Sequence, residues 1–506
     1  MSKPCTVKQL LDYSAEKYSD KDFCKYTENG RVITATYRQF RNDSYALCRY
    51  IRRITENKLH IAFIGKTSYE YIVCLTGMLI SGNTVVPFSP DIQAEEARAL
   101  FENSDIDLLF CEEEFTETAE KIKEAYPALK GIVSLGDKEH FRRLFTEYSD
   151  EKYFRLSEID PEPDSLALII YTSGTTGIRK GVMLSQRNLA ANSTYDTYAM
   201  DCDDVSFSIL PMHHIFCYSC DVLKTLYDGG ALCLNGNMSD MFENFLIFEP
   251  TVMRIVPAIC KTILLRIKKT HKRNPDLTKR EAAEAVVGRN FRRMIAGSAF
   301  LSSSLIDEFE KYGIIARQGY GMSECSPRIT TSDFSDECKY SNGILTGVDE
   351  VRAVDGEIQV KGPSVMMGYY KMPEATKEAF TEDGFLHTGD AGYIENGHIY
   401  LSGRKKNIIV LSNGENISPE EIENRFADEA LIKEIIVFAS SDSLAAEIFP
   451  DEKATREEIE DIIDRINLTA HSDRQIDSFT LRSTPFPKTS TGKIKRQEFI
   501  YGKEIK

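Results

Sequence analysis

The amino-acid sequence predicts an α/β fold with a large N-terminal domain and a smaller C-terminal domain. Helical patterns such as Thr6–Tyr18 alternate with short apolar runs such as His60–Ile64, and this alternation is typical of an α/β core. From about Gly343 the segments become shorter, alternate in polarity and are separated by glycines, which indicates a β-rich subdomain. We therefore predict α/β subdomains plus a β-rich subdomain over 1–403, followed by a small α+β domain over 404–506.

The small domain is predicted from two helix starts and one strand. Ser418–Glu421 combines an N-cap serine, a proline at the first helical position and a capping-box glutamate. Thr455–Glu458 has a similar capping pattern, and the helix that it starts carries an apolar stripe of Ile459, Ile462, Ile463 and Ile466. Glu434–Phe438 has the pattern of a strand.

The composition argues against a nucleic-acid partner and against a disulfide-stabilised secreted domain. The 506 residues include 62 Lys and Arg against 78 Asp and Glu, a net charge of −16, and the charges are scattered along the chain. A basic face that could bind a phosphate backbone is not evident. The 12 cysteines lie at irregular spacings, so reduced thiols and a cytoplasmic location are expected.

A transmembrane segment is not expected either. Met1–Cys5 leads into a mixed polar segment without the apolar core of a signal peptide. The longest apolar stretch, Tyr71–Ile80, has about half the length needed to span a bilayer, and we interpret it as a buried helix. No basic amphipathic helix of the kind that binds membrane surfaces is apparent.

A glycine- and threonine-rich segment follows the predicted strand Leu166–Ile170. Residues 171–181 read Tyr-Thr-Ser-Gly-Thr-Thr-Gly-Ile-Arg-Lys-Gly and precede a helix for which Ser185 is the expected cap. The hydroxyl groups and flexible backbone could wrap a polyphosphate, to which Lys180 would add positive charge. The segment lacks the Walker A pattern, and taken alone an ordinary surface loop accounts for it equally well.

Two later segments also carry polar side chains suited to a nucleotide. Gln318–Glu324 follows the apolar run Gly313–Ala316; its Tyr320 could stack on a base, and its Glu324 could hold Mg²⁺. Asp390, in a short turn, could accept hydrogen bonds from two ribose hydroxyls. Each feature alone is weak, since an exposed glutamate or a turn aspartate is usually only solvated.

In combination and in this order, these segments resemble the adenylate-forming superfamily of acyl-CoA synthetases, peptide-synthetase adenylation domains and firefly-type luciferases. The resemblance covers almost the whole chain and includes five further segments: Leu210–Phe216, Gly297–Ala299, Gly403–Arg404, Gly414–Glu423 and Pro487–Lys495. Leu210–Phe216 and Val410–Asn416 look most like the corresponding segments of medium- and long-chain fatty acyl-CoA synthetases.

The resemblance implies a nucleotide site that draws on both domains. Its expected residues are Thr172, Ser173, Gly174, Thr175, Thr176, Gly177, Lys180, Gly297, Ser298, Ala299, Gln318, Gly319, Tyr320, Gly321, Met322, Ser323, Asp390, Arg404 and Lys493. The glycine-rich segment would surround the β- and γ-phosphates of ATP, and Thr175 and Glu324 would hold Mg²⁺. Asp390 and Arg404 would bind the ribose hydroxyls.

The resemblance also implies catalytic, acyl-binding and hinge residues. The expected catalytic residues are Thr175, His214, Glu324 and Lys493, and the acyl pocket would be lined by His214, Phe216, Tyr218, Gly297 and Gly321. A carboxylate that attacks the α-phosphate brings two anions together, and a positioned ammonium such as that of Lys493 would offset the repulsion. In the family the small domain is mobile and rotates between two half-reactions, with Lys406 at the hinge position.

A zinc site is an alternative interpretation of one segment. His213 and His214 are followed by Cys217 and Cys220. Adjacent histidines rarely bind one metal ion, and no second Cys-x-x-Cys accompanies the first. We therefore expect Cys217 and Cys220 to be core residues.

The predicted activity is ATP- and Mg²⁺-dependent conversion of a carboxylic acid to an acyl-adenylate, followed by acyl transfer to the thiol of coenzyme A. A fatty acid is favoured because Asp221 lies later than the aspartate with which amino-acid-activating relatives pair a substrate ammonium; an unpaired buried ammonium would be costly. The chain contains no tryptophan, so the tryptophan gate of some long-chain members is absent. Chain length and aromatic acids stay open.

Two alternatives to this activity are retained. The enzyme could load a fatty, aryl or amino acid onto the phosphopantetheine of an acyl or peptidyl carrier protein, which presents the same thiol as coenzyme A. A non-catalytic scaffold that binds acyl groups or nucleotides is less favoured, because the chain retains Thr175, Glu324, Asp390, Arg404 and Lys493. Luciferase-like oxygen chemistry needs a special substrate and ranks last.

Overall fold

The computed structural model describes residues 3–55, 58–150, 159–172, 179–195, 200–337, 339–411, 415–440, 443–488 and 494–496. The first part of the chain alternates helices and strands: α1 (Val7–Tyr18), β1 (Asp22–Glu28), β2 (Arg31–Thr36), α2 (Tyr37–Ile54), β3 (His60–Ile64), α3 (Tyr69–Ile80), β4 (Thr84–Phe88), α4 (Ala94–Ser104), β5 (Leu108–Cys111), α5 (Thr116–Ala125), β6 (Gly131–Ser134) and α6 (Lys138–Glu147). The strand predicted at His60–Ile64 is present, and the apolar stretch Tyr71–Ile80 lies in the fully buried helix α3.

The alternation continues through the middle of the chain. Its elements are β7 (Leu166–Thr172), β8 (Lys180–Ser185), α7 (Gln186–Ser193), β9 (Val205–Ser208), α8 (Ile215–Cys217), α9 (Lys224–Asp228), β10 (Ala231–Leu234), α10 (Met241–Phe248), β11 (Val252–Ile255), α11 (Pro257–Arg273), α12 (Lys279–Val287), β12 (Arg293–Ala296), α13 (Ser303–Glu310) and β13 (Ile315–Gln318). A short π-helix, Tyr218–Leu223, joins α8 to α9.

Short strands dominate the rest of the large domain, and helices return in the small one. The β-rich part contains β14 (Thr330–Thr331), β15 (Ile344–Leu345), β16 (Glu350–Val354), β17 (Glu357–Lys361), β18 (Gly368–Tyr369), α14 (Pro373–Glu378), β19 (Leu386–Glu395) and β20 (His398–Arg404). The last part contains β21 (Ile409–Val410), β22 (Asn416–Ile417), α15 (Pro419–Asn424), β23 (Ile432–Ser440), β24 (Ser443–Pro450), α16 (Arg456–Asn467) and β25 (Ile476–Leu481).

Two seven-stranded sheets form the centre of the large domain. The first has the order β13-β12-β11-β9-β10-β1-β2 and is parallel except for β2 at its edge. The second has the order β18-β8-β7-β4-β3-β5-β6 and is parallel from β7 to β6, while β8 pairs antiparallel with both β7 and β18. Helices cover these parallel sheets, as their burial on both faces requires. The predicted α/β core is confirmed.

A six-stranded antiparallel sheet, β14-β15-β20-β19-β17-β16, forms the β-rich part. The small domain contains the three-stranded sheet β23-β24-β25. Its buried core is made by residues between Ile417 and Ile476, whereas the cores of the large domain lie N-terminal to residue 400. The mixed fold with a smaller C-terminal unit is thus present, and the boundary placed at 403/404 stays a prediction.

The helix caps follow the sequence in two places and depart from it in a third. The hydroxyls of Ser185 and Thr455 accept hydrogen bonds from backbone N–H groups in the first turns of α7 and α16, completing capping boxes. Helix α15 begins after Ser418, but Ser418 makes no capping bond and donates its hydroxyl hydrogen to the Ser402 carbonyl oxygen at 2.5 Å. The predicted capping box at Ser418 is therefore wrong, because that serine contacts the preceding domain instead.

Strand β8 lies between the glycine-rich segment and the helix that follows it. The helix expected after Ser185 is present as α7. Between it and the glycine-rich segment, Lys180–Ser185 forms a strand, not predicted from the sequence, that pairs antiparallel with β7. The segment therefore connects two paired strands of one sheet, and α7 begins only after β8.

Helix α11 contradicts the expectation that the chain has no basic amphipathic helix. Its buried side is apolar, and all six of its Lys and Arg residues lie on the remaining surface or in its last turn. The amphipathic pattern is not evident in the sequence because Ile263, Leu264 and the exposed Leu265 form a continuous apolar run. Among the described residues, no helix is both long enough and apolar enough to cross a membrane.

Candidate active site

Three polar side chains from distant parts of the sequence meet beside the end of β13. The Tyr320 hydroxyl donates to Asp390 Oδ2 at 2.7 Å, and Arg404 Nε lies 3.0 Å from Asp390 Oδ1. Asp390 and Arg404 are partners across the β19–β20 pair, so strand register fixes their contact. The carboxylate of Asp390 is buried and held on both oxygens, an arrangement that preorganises it for further donors.

Gln318 and Gly319 connect this network to the end of β12. The Gly319 amide donates to the Ala296 carbonyl at 2.9 Å, and Gln318 Oε1 accepts from the Leu301 amide at 3.0 Å. These bonds hold both ends of the turn that contains Ser298 and Ala299, whose side chains are exposed. The turn is thereby presented next to Tyr320.

Two glycines permit close approaches at the same place. A Cβ atom on Gly297 would lie 3.1 Å from the Phe216 ring, and one on Gly321 would overlap the Pro327 carbonyl oxygen. Met322 follows, with its amide donating to the same Pro327 oxygen at 2.8 Å, and Ser323 begins a 3-10 turn that contains Glu324. The backbone around Gly321 consequently cannot accept a side chain without shifting.

Glu324 is connected through Tyr369 to Lys180, near the C-terminal end of the glycine-rich segment. The Tyr369 hydroxyl donates to Glu324 Oε1 at 3.0 Å, and Lys180 Nζ lies 4.6 Å from the centroid of the Tyr369 ring. Lys180 is paired with Thr172 across β7 and β8. The predicted residues Ser173, Gly174, Thr175, Thr176 and Gly177 lie outside the described residues.

The histidine segment precedes the π-helix on the other side of Gly297. The rings of His213 and His214 are 4.3 Å apart, centroid to centroid. Burial, together with the neighbouring His214, lowers the pKa of His213 to about 3, and desolvation also lowers the pKa of His214. Both rings are therefore neutral at physiological pH. Neutral imidazoles can donate or accept a hydrogen bond beside a carboxylate without titrating.

The cysteines and Tyr218 of this segment point into the protein. Cys217 and Cys220 are buried, as expected for core residues. Within the described part of the chain, no three His, Cys, Asp or Glu side chains form a group that could hold a metal ion. Tyr218 is also buried, and its hydroxyl lies 2.9 Å from Thr76 Oγ1 in α3. The Tyr218 hydroxyl is thus engaged with helix α3.

Glu357 is a residue that the sequence interpretation missed. It is buried at the start of β17 and accepts from the Gly389 amide at 3.0 Å, with Lys405 Nζ and His387 Nδ1 each 3.0 Å from its Oε2. These contacts lower its pKa in spite of burial. The sequence contained one signal for this residue: a glutamate at the start of a buried strand, where a carboxylate needs charged or hydrogen-bonding partners.

Comparison with known proteins places the chain in a family. Residues 11–370 match the family model described as AMP-binding enzyme, and residues 406–506 match the model described as AMP-binding enzyme C-terminal domain. The chain belongs to the AMP-binding enzyme family.

Relatives of this AMP-binding enzyme include the peroxisomal long chain acyl-CoA synthetase 6 of Arabidopsis thaliana, 32% identical over 56% of the chain and 47% of the relative. A long-chain-fatty-acid–CoA ligase of Escherichia coli is 26% identical over 97% of the chain and 93% of the ligase. The chain thus spans about half the length of the plant relative. The ATP-bound structure of MatB from Rhodopseudomonas palustris has the same fold, with a TM-score of 0.79, 23% identity and coverage of 98% and 99% of the two chains.

The small domain of the AMP-binding enzyme contacts the large one beside α11. Lys261 Nζ donates to the Ala427 carbonyl at 2.9 Å, and Ser302 Oγ donates to Asp428 Oδ1 at 3.0 Å. Lys406 lies in a short 3-10 turn between the domains and is exposed. Lys493 lies outside the described residues. Lys261 and Ile494 line one cavity of about 270 Å³ between the domains.

Proposed function

We propose that this AMP-binding enzyme is an acid–thiol ligase that converts a fatty acid to its acyl-adenylate with ATP and then transfers the acyl group to coenzyme A. The observation that carries the proposal is the Tyr320–Asp390–Arg404 network. It presents a buried carboxylate between an aromatic ring and a guanidinium, directly beside the turn at Gly297. The names of the acyl-CoA synthetases among the relatives support the same chemistry.

Asp390 would accept hydrogen bonds from the ribose hydroxyls of ATP. Its Oδ2 accepts from Tyr320 and its Oδ1 is paired with Arg404, and a carboxylate oxygen can accept more than one hydrogen bond. Gly297–Ala299 and Gln318–Met322 would enclose the adenine ring, while Lys180 and the glycine-rich segment would bind the phosphates. These roles are carried over from the family resemblance, and the close packing of the first two segments supports them.

Glu324 would hold Mg²⁺ together with Thr175. Proteins usually bind this ion through one or two carboxylates and the substrate phosphates, without a complete protein cage, so one buried glutamate beside the phosphate segment suits it. Bound Mg²⁺ would neutralise charge on the leaving pyrophosphate. The Tyr369 hydroxyl, 3.0 Å away, would keep the Glu324 carboxylate oriented.

In the first half-reaction an acid oxygen would form a bond to the α-phosphorus while the bond to the pyrophosphate oxygen breaks. Neutral His214 would help position the acid without adding charge, and the Lys493 ammonium would offset the repulsion between the two anions. In the second, the thiol sulfur of coenzyme A would attack the acyl carbonyl and AMP would leave. Rotation about Lys406 would replace the Lys493 segment with the thiol between the steps.

An apolar acid fits the residues around Gly297. Phe216 packs against that glycine, and no acidic side chain among the described residues of the segment Leu210–Cys220 is available to pair with an amino group. The curated relatives' names favour a long acyl chain. The cytoplasm is the location proposed, from the cysteine pattern of the sequence.

The decisive experiment is acid-dependent exchange of labelled pyrophosphate into ATP with Mg²⁺ and without thiol, over fatty, aryl and amino acids. We expect an optimum among fatty acids. Thioester formation from the best acid should then be measured with coenzyme A and, separately, with a phosphopantetheinylated carrier protein. An optimum among amino acids, or a strong preference for the carrier, would contradict the proposal; absence of exchange with every acid would favour a non-catalytic scaffold.

A further inference from the structure

Helix α11 concentrates positive charge on one surface of an acidic protein. Its 17 residues include no Asp or Glu, although the whole chain has a net charge of −16. Its cations are Lys261, Arg266, Lys268, Lys269, Lys272 and Arg273, and its buried residues are Pro257, Cys260, Ile263, Leu264 and Ile267. The helix is therefore amphipathic, with an apolar side inside the protein and a cationic side in solvent.

Apolar side chains interrupt this cationic side. Leu265 is 67% exposed among the lysines and arginines. The guanidinium of Arg266 in α11 lies 5.1 Å from the centroid of the Phe242 ring in α10, and this contact connects the two helices. One turn after Phe242, Leu246 is 50% exposed, and Met238 before α10 is 55% exposed. We call the surface made by these four apolar residues and the cations of α11 the α10–α11 face.

Among the residues that the structure describes, several cations of the face have no acidic partner. Lys268 is paired with Glu308 at 2.6 Å, and Lys261 donates to the small domain. Within the described ranges, Lys269, Lys272 and Arg273 form no ion pair. Two exposed acids, Asp240 and Glu243, lie beside the apolar residues of α10, and in the described part of the chain they form no ion pair with the α11 cations.

We propose that the α10–α11 face binds the surface of a membrane that contains anionic phospholipid. Leucine, phenylalanine and methionine can enter the boundary between headgroups and acyl chains, while lysine and arginine reach the headgroup phosphates. Anionic lipid complements a patch of several cations, and each basic side chain near the surface adds to the attraction. A protein partner would need both acidic groups and a matching apolar groove, whereas a bilayer interface supplies both chemistries to any such face.

The position of the face connects it to the acyl site. Helix α11 begins two residues after β11, whose last residue, Ile255, accepts a hydrogen bond from the Gly297 amide at 2.9 Å. Membrane binding would bring that end of the protein close to fatty acids dissolved in the bilayer. This functional consequence rests on the proposed function, but the binding itself does not.

The test is co-sedimentation of the full chain with vesicles of phosphatidylcholine alone or of phosphatidylcholine mixed with phosphatidylglycerol. We expect binding to the mixed vesicles only, and weaker binding as salt is raised. The double variant Lys269→Glu/Lys272→Glu should reduce the bound-to-free ratio about tenfold or more. Leu265→Asp should also reduce it.

The control Lys377→Glu/Lys453→Glu makes the same change in net charge at two exposed lysines outside the face, and it should bind as the unaltered chain does. Pyrophosphate exchange with a water-soluble acid should be unchanged in all variants, which shows that they are folded and active. Equal binding to both vesicle types, or unaltered binding by Lys269→Glu/Lys272→Glu, would overturn the proposal. The proposal would also be overturned if the protein bound no vesicles but captured an acidic carrier protein in a charge-dependent manner. If vesicles bind but no acid supports exchange, the proposed function fails and the membrane site stands.

Discussion

Glu357 Oε2 lies 3.0 Å from Lys405 Nζ, so a buried carboxylate in the β-rich sheet is paired with the segment that connects the two domains. Its other oxygen accepts from the Gly389 amide at 3.0 Å, next to Asp390. The same side chain thus supports the turn proposed to bind ribose and restrains the residue that precedes the proposed hinge. Rotation of the small domain about Lys406 would act directly on this ion pair.

Glu357→Gln should therefore weaken nucleotide binding more than it disturbs the hinge. The amide keeps the shape of the side chain but loses the charge that attracts Lys405 and strengthens the bond from Gly389. We expect the KM for ATP in pyrophosphate exchange to rise about five- to tenfold, while acyl transfer from preformed adenylate is much less affected. Lys405→Met should leave the KM for ATP closer to its original value, because it removes only the hinge contact. Equal losses in both half-reactions, together with a lower Tm, would mean that Glu357 only stabilises the fold.

Asp390→Asn should weaken ATP binding more strongly. The substitution removes the charge that joins Tyr320 to Arg404 and places an amide where two ribose hydroxyls would donate. Loss of charge-assisted hydrogen bonds predicts a rise in the KM for ATP of about 10- to 100-fold. The control is Asp383→Asn, which neutralises an exposed aspartate paired with Arg352. An unchanged KM for ATP in Asp390→Asn would exclude this aspartate from the nucleotide site.

Local features of the fold were predictable because local sequence determines them. The strand His60–Ile64 and the capped helix that begins after Thr455 were identified from periodicity and capping residues, and both are present. The helix expected after Ser185 is also present. The capping box expected at Ser418 failed because that serine contacts Ser402, and strand β8 was not predicted because its pairing with β7 decides that conformation. Such contacts join separate elements of the chain, and the periodicity of one segment does not record them.

In the candidate active site, too, local sequence identified single residues, whereas their contacts depend on the fold. Tyr320 and Asp390 were each proposed from their own segments, but they are 70 residues apart, and only the fold shows that they share a hydrogen bond. Glu357 was missed since its importance lies in the three donors around it, none of which adjoins it in the sequence. The cationic side of α11 was missed because exposed Leu265 follows the buried Ile263 and Leu264, and this continuous apolar run conceals the helical period.

Gly297→Val should shift the acid preference towards shorter chains. A Cβ at this position would lie 3.1 Å from the Phe216 ring, so added methyl groups would press on the side chain proposed to line the acyl pocket. Chain-length profiles measured by pyrophosphate exchange should therefore move to smaller acids.

Phe216→Leu in the Gly297→Val background should restore part of the original profile, since it removes the atoms that the valine meets. Gly321→Ala provides the contrast, because its Cβ would overlap the Pro327 carbonyl oxygen and should lower exchange with acids of every length. A Gly297→Val profile identical to that of the unaltered chain would place the acyl chain elsewhere.

Lys406→Pro should slow the complete reaction and largely spare adenylation. Proline fixes φ and removes a backbone N–H in the turn Lys405–Asn407, so it restricts the rotation that would admit the thiol. We expect pyrophosphate exchange within about twofold of normal and thioester formation reduced about tenfold or more. Lys406→Ala removes the side chain without restricting the backbone and should retain both steps. Normal thioester turnover in Lys406→Pro would locate the hinge at another residue.

Lys493→Ala tests whether this lysine acts in adenylate formation only and not in acyl transfer to the thiol. If this ammonium offsets the charge that develops when the acid attacks the α-phosphate, its loss should slow adenylate formation about 10²- to 10³-fold. Acyl transfer from chemically prepared adenylate to coenzyme A should remain close to normal, because the lysine would by then have left the reacting atoms. The control Lys495→Ala removes an equal charge two residues away and should retain exchange. Equal loss of both half-reactions in Lys493→Ala would show that this lysine is needed for the fold or for binding and not specifically for the first step.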